Sequence, residues 1–272
     1  MGKTGVHWAD RNWNWLKAAC DMVSEGCRGC YSARYARMNG LSFKDFGLKP
    51  NWRKIVDEPL HRRIPTRYFH NDMSDIFNER FESNEDLWRA RDLSFQVMEQ
   101  CPQHIFFNLT KRPHLMLQYM VRRYHDKQIP EQIWVGTSIE LSKYLSRGEL
   151  LKQIDAKYRF YSIEPLKGHM SDINLSGISW VIVGGESSII KPGVWDYKPT
   201  PMLGEWVSSI LSQCKEQDVS FFFKQWGGTE KCACHDAWGC RIFPMRSGVT
   251  WDEFPVEWPP KPAVGPTLEM FS

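Results

Sequence analysis

Six times along the chain a short run of apolar, β-branched or aromatic residues stops abruptly at a polar cluster. Arg67–His70 meets Asn71-Asp72-Met73-Ser74-Asp75, residues 104–109 meet Thr110-Lys111-Arg112-Pro113, and residues 133–135 meet Gly136-Thr137-Ser138-Ile139-Glu140. Residues 158–163 run into Glu164-Pro165-Leu166, 180–183 into Gly184-Gly185-Glu186-Ser187, and 219–223 into Lys224-Gln225-Trp226-Gly227. Runs without alternation fit strands buried on both faces, as in a parallel sheet. Helix-like segments separate them, at 84–99, 114–123, 141–153 and 202–217. In the first, Asn84-Glu85-Asp86 gives an acidic start, and Leu87, Ala90, Leu93 and Val97 recur at helical spacing.

Alternating strands and helices imply right-handed βαβ units. With a first strand at residues 13–16 there are about seven strands, one short of a full eightfold barrel. The expected fold is therefore α/β, a partial (β/α) barrel of six to seven units over residues 1–227. Residues 228–272 lose the alternation and are rich in Cys, Pro and Trp, which predicts a loop-rich extension packed on the barrel. Polar residues at strand C-termini converge on the face where barrels keep active sites. One polar strand end means only that loops are exposed. Six in succession, each with a carboxylate, a base or paired glycines, favour a site.

Thirteen Trp and fifteen Phe predict that some rings line a site or interface as well as the core. The net charge of +3 permits a nucleic-acid substrate without arguing for one. Residues 1–10 hold no signal-like apolar run, and no stretch is long and apolar enough to span a membrane. The expectation is a cytoplasmic protein whose eight cysteines stay reduced.

Six of those cysteines fall in two tight groups, which suggests metal sites. Cys20, Cys27 and Cys30 follow the first strand directly, with a helix expected over residues 31–38. Three thiolates on one loop can ligate three irons of a [4Fe–4S] cluster and leave the fourth iron open to S-adenosylmethionine (SAM). Gly26 and Gly29 would let the backbone wrap closely around it. The same spacing suits zinc, although no fourth Cys or His follows closely. Position on the first strand–helix loop favours the cluster. Cys232, Cys234, His235 and Cys240 are equally readable as a zinc site, an auxiliary cluster or free thiols.

Taken together, the Trp13-Asn14-Trp15 start, the three cysteines and the strand-end motifs resemble the phage family named after gene products thirty-seven and sixty-eight, the three-Cys-motif proteins. The shared motifs include Asp72-Met73-Ser74-Asp75-Ile76-Phe77, Leu109-Thr110-Lys111-Arg112-Pro113, Trp134-Val135-Gly136-Thr137-Ser138-Ile139-Glu140 and Phe222-Phe223-Lys224-Gln225-Trp226-Gly227. The family is regarded as radical-SAM-like. The usual radical-SAM loop has a three-residue first gap and an aromatic before the last cysteine, where this chain has six residues and Gly29.

The resemblance implies a [4Fe–4S] cluster, SAM and an external electron donor. Gly184, Gly185 and Glu186 resemble the Gly-Gly-Glu that handles the SAM amine, although here they close a late strand. Asp72 and Asp75, at the second strand, are better placed for the amine or ribose. Lys111 or Arg112 would pair with the carboxylate, and Ser138 and Glu140 would reach the ribose. Glu164, Lys224 and Gln225 would face substrate as the catalytic set. A phage setting implies host cytoplasm and points to a DNA nucleobase as substrate, in an isomerase or group-modifying step. Two rivals remain: a non-catalytic zinc protein that binds nucleic acid, and an iron–sulfur electron carrier.

Overall fold

The computed structural model describes residues 6–18, 20–186, 199–226 and 252–258. Seven strands form one sheet in chain order: β1 (Arg11–Trp13), β2 (Arg67–His70), β3 (Ile105–Thr110), β4 (Ile133–Ser138), β5 (Arg159–Ile163), β6 (Trp180–Gly184) and β7 (Ser220–Gln225). Every neighbouring pair is parallel. Strands β4 and β6 are buried along their whole length, as the apolar run of β6 requires; in β4 the burial extends past Val135 to the polar Thr137 and Ser138.

The sheet is curled into a half-barrel. The Trp8 indole lies 4.6 Å from the Phe69 ring on β2 and 6.0 Å from the Trp180 ring on β6, centroid to centroid. In a flat sheet those strands would stand about 19 Å apart, at about 4.8 Å per step. One ring reaches both only because the sheet wraps around it. Phe107, Trp134, Phe160, Ile182 and Phe222 complete this inner core. Gly136 allows the wrap, since a Cβ there would stand 2.4 Å from the Phe160 ring. Phe254 stacks on Trp134 at 5.1 Å, and the Trp180 Nε1 donates to the Glu253 carbonyl, so residues 252–258 belong to the same core.

Among the described residues eight helices accompany the sheet: α1 (Tyr31–Met38), α2 (Trp52–Val56), α3 (Glu58–His61), α4 (Arg80–Ser83), α5 (Glu85–Glu99), α6 (Pro113–Arg123), α7 (Ser146–Lys152) and α8 (Gly204–Glu216). The second, larger core lies between them and the convex face of the sheet. Asn84 caps α5 by accepting from the Leu87 amide at 3.1 Å, and Pro113 opens α6, where its missing N–H costs nothing.

Some expectations shift. The first strand is Arg11–Trp13 rather than residues 13–16, because Asn71 Oδ1 accepts from the amides of Trp15 and Leu16 and pulls them off the ladder. The helix expected over 141–153 is a 3₁₀ turn, Ser142–Tyr144, followed by α7. Trp13, Trp15, Trp134 and Trp180 are core residues, each at most 1% exposed, while Trp8 and Phe69 both join the inner core and line a cavity at the strand ends. No helix among the described residues is long and apolar enough to cross a membrane.

Candidate functional site

The strand ends surround an open cavity enclosing about 1110 Å³ of empty space, mouth included. Cys20, Cys27 and Cys30 line one side of it. Asp72, Asp75, Lys111, Arg112 and Ser138 come from β2, β3 and β4, and Glu164, Gly185, Glu186, Lys224 and Gln225 from β5, β6 and β7. Two of the expected residues, Glu140 and Gly184, are absent from the lining.

Glu140 instead anchors the cysteine loop from behind. It is fully buried, and its carboxylate accepts from Ser24, from Lys111 and from the Arg147 Nη1 at 2.7 Å. The loop can sit this close because residue 26 has no side chain. A Cβ there would meet Glu140 Cγ and Oε1 at 2.7 Å and Pro165 Cδ at 3.0 Å.

Lys111 links that anchor to the thiols, its Nζ standing 3.5 Å from Cys27 Sγ. Burial opposes ionisation of Cys27. The Lys111 ammonium, the Val23 and Ser24 backbone amides and the Ser24 hydroxyl together outweigh it and set the thiol below its ordinary pKa. Lys111 and Glu140 hold each other charged against the same cost, the lysine raised and the carboxyl lowered. Cys20 goes the other way, pushed up to about 12 by burial and then by the negative charge of Asp75.

Beside the cysteine loop, Asp72 accepts from Asn14 Nδ2 at 2.5 Å and from the hydroxyl of Tyr31, the residue after Cys30, at 2.9 Å. Burial raises its pKa above the ordinary carboxylate value, and the Asn14 and Tyr31 hydrogen bonds offset this in part. The Tyr31 phenol is itself held well above its ordinary value by burial and by the Asp72 charge. Glu164 and Lys224 form an ion pair at the ends of β5 and β7, and Ser162 Oγ donates to Glu164 at 3.3 Å.

Other expected ligands are already engaged by the protein. Asp75 accepts from Thr110 Oγ1 at 2.8 Å, from the Phe77 amide at 2.9 Å and from Arg112 at 3.2 Å. Arg112 also donates to Glu79 at 2.8 Å, so it ties loops together where it was expected to clamp a carboxylate. Glu186 accepts from Lys167 at 2.6 Å and from the Thr200 amide at 2.7 Å. Gln225 Nε2 donates to the Gly185 carbonyl at 3.3 Å. Cys232, Cys234, His235 and Cys240 lie outside the described residues.

Sequence reasoning missed Tyr31, Ser24, Asn14 and Arg147. The first two had a signal, one following Cys30 directly and the other lying within the cysteine loop. Asn14 and Arg147 had none, since their roles depend on contacts 58 and 7 residues away in sequence.

The donor chemistry suits a metal cluster. The three thiols are in no disulfide, line one cavity, and lie close enough that Cys27 and Cys30 each raise the pKa of Cys20. A positive centre would reverse the high pKa of Cys20, because metal-bound thiols deprotonate. No three ligating groups surround a single point among the described residues.

A curled parallel half-barrel with three thiols and the Glu164–Lys224 ion pair lining an open cavity at its strand ends defines the class of α/β protein. Within that class the chain belongs to the DUF5131 family, described as protein of unknown function, whose profile matches residues 3–255. No curated protein and no solved structure matches it.

Proposed function

We propose that this chain is a radical SAM enzyme in which Cys20, Cys27 and Cys30 hold a [4Fe–4S] cluster. The observation that carries the reading is the convergence of these three thiols on one cavity with Asp72, Lys111, Glu164 and Lys224, at the strand ends where barrels bind substrate. When bound, such a cluster supplies the electron that cleaves the SAM sulfonium and yields an adenosyl radical able to abstract hydrogen.

The chain's own groups have separable tasks. Asp72, oriented by Asn14 and Tyr31, presents a carboxylate to an ammonium group. Lys111 places positive charge beside Cys27 and favours its thiolate form. Ser138 offers a hydroxyl on the same wall. The Glu164–Lys224 pair is the candidate acid and base, with the lysine giving a proton to substrate and the carboxylate receiving one. A nucleobase of phage DNA as substrate follows from the family resemblance alone.

Anaerobic reconstitution with iron and sulfide, then EPR of the dithionite-reduced protein with and without SAM, tests the reading. A [4Fe–4S] signal that shifts with SAM, vanishes in Cys27→Ala and accompanies 5′-deoxyadenosine formation supports it. Zinc in place of iron overturns it in favour of a zinc protein. A cluster indifferent to SAM overturns it in favour of an electron carrier.

A further inference from the structure

The stretch between β1 and β2 differs in charge from the rest of the chain. Residues 14–66 carry ten Lys/Arg against five Asp/Glu, while all other residues carry 25 against 27. The protein's whole positive excess therefore sits in the segment that contains the cysteine loop. Four of its five acids are already occupied: Asp21 by Asn78 and Arg80, Glu25 by Lys143 and Tyr144, Asp45 by the Ser42 turn it caps, and Glu58 by Tyr68 and Arg11.

The same stretch holds seven of the ten large apolar side chains most exposed among the described residues. Helix α1 is built inside out: the residues it buries are the small Ser32 and Ala36, while Tyr35 is 51% and Met38 59% exposed. Met22, on the cysteine loop, is 64% exposed, and Phe43, just beyond α1, is 54% exposed. Arg28 and Lys44 are exposed in the same loops. Folding gains nothing from leaving such side chains in water, and their concentration in one stretch of chain points to an interaction surface.

Tyr, Phe, Met and Arg are the residues enriched in protein–protein interfaces. Met22 and Met38 offer adaptable apolar contacts that a phosphate backbone would not use. The net charge of the segment calls for a negative partner, and opposite charges steer such partners together.

We propose that the cysteine loop and α1 form the docking face for an acidic protein and, on the strength of the function proposed above, that this protein is the one-electron donor. One electron leaves the reduced carrier, which is thereby oxidised, and passes to the cofactor held by the three cysteines; no proton or leaving group is exchanged. Electron-transfer pairs use small, transient interfaces, which a few exposed side chains can supply.

The test is fluorescence anisotropy of a labelled acidic flavodoxin titrated with the full chain at low and at physiological ionic strength. The expected result is binding that weakens with salt and weakens about tenfold in Lys44→Glu and in Met38→Ser/Phe43→Ser. Val121→Ser, an exposed site on α6, should bind as wild type. In reconstituted protein the same variants should slow reduction by flavodoxin and leave reduction by dithionite unchanged. If no cluster forms, the proposed enzyme class falls while the binding data still report on docking. Absence of binding, or variants that bind like wild type, overturns the docking face. A single-stranded oligonucleotide that binds with the same variant sensitivity also overturns it and reassigns the face to nucleic acid.

Discussion

Gly26→Ala is the sharpest probe of how the cysteine loop is held. The added methyl would stand 2.7 Å from Glu140 Cγ and Oε1 and 3.0 Å from Pro165 Cδ. Carbon contacts begin near 3.5 Å, so about 0.8 Å of clearance must be found. Glu140 cannot supply it cheaply. It is fully buried, and both its oxygens are engaged, by Ser24 and Lys111 on one side and Arg147 on the other. Separating a buried carboxylate from its cations costs about 3–5 kcal/mol, whereas overpacking relieved by a backbone shift costs about 1–3 kcal/mol. The cheaper route lifts the loop, carrying Cys27 away from Lys111. Two changes are expected: a lower urea midpoint worth about 1–3 kcal/mol, and slower alkylation of Cys27 by iodoacetamide near neutral pH. In a Glu140→Ala background the same methyl should cost at least about 1 kcal/mol less, as coupled neighbours do. A Gly26→Ala protein that unfolds and alkylates like wild type would refute this account of the loop.

In the wild-type protein near pH 8, peptide mapping after brief iodoacetamide treatment should find Cys27 modified ahead of Cys20 and Cys214, both pushed up to about 12 by burial, and Cys101, pushed up to about 11. Uniform labelling of the four would contradict the charge arrangement. Lys224→Met should abolish product formation while moving the unfolding midpoint by less than about 1 kcal/mol, because its ion pair with Glu164 is partly exposed; a large stability loss with activity retained would make the pair structural. His70 is lowered to about 3 by burial, so between its ordinary value near 6.5 and that point the unfolded chain binds the extra proton. Stability should therefore fall as pH drops through this window, by at most about 1.4 kcal/mol per pH unit from this residue, and urea midpoints of His70→Gln should show a correspondingly flatter slope.

Most of the sheet could be read from the chain because each buried parallel strand is written as an unbroken apolar run ending in polar residues. Trp180–Gly184 is the clearest case, apolar up to its closing glycine and buried throughout. The same rule placed Asp72, Glu164 and Lys224 on one cavity. It failed where a side chain's partner is distant in sequence. Nothing local distinguishes Asp72, held by Asn14 and Tyr31, from Asp75, consumed by Thr110 and Arg112. Glu140 looked like a ligand because it ends a strand, yet the charges of Lys111 and Arg147 turn it towards the loop. The aromatic count carried both meanings expected of it: Trp8, Tyr31 and Phe69 line the cavity, and other rings fill the cores. A half-barrel has a concave interior to fill, and Trp8, Trp134 and Trp180 fill it.

That interior also bears on the order in which the chain assembles. Each strand pairs with the next in sequence, so the sheet can grow one βα unit at a time as the polypeptide is made. Trp8 is synthesised before any of them, yet its neighbours Phe160 and Trp180 emerge about 150 to 170 residues later. Contacts of such long sequence separation form late and slowly. Until β6 is complete the concave face stays wet, and an early-made tryptophan has to wait for the last third of the protein before it can be enclosed.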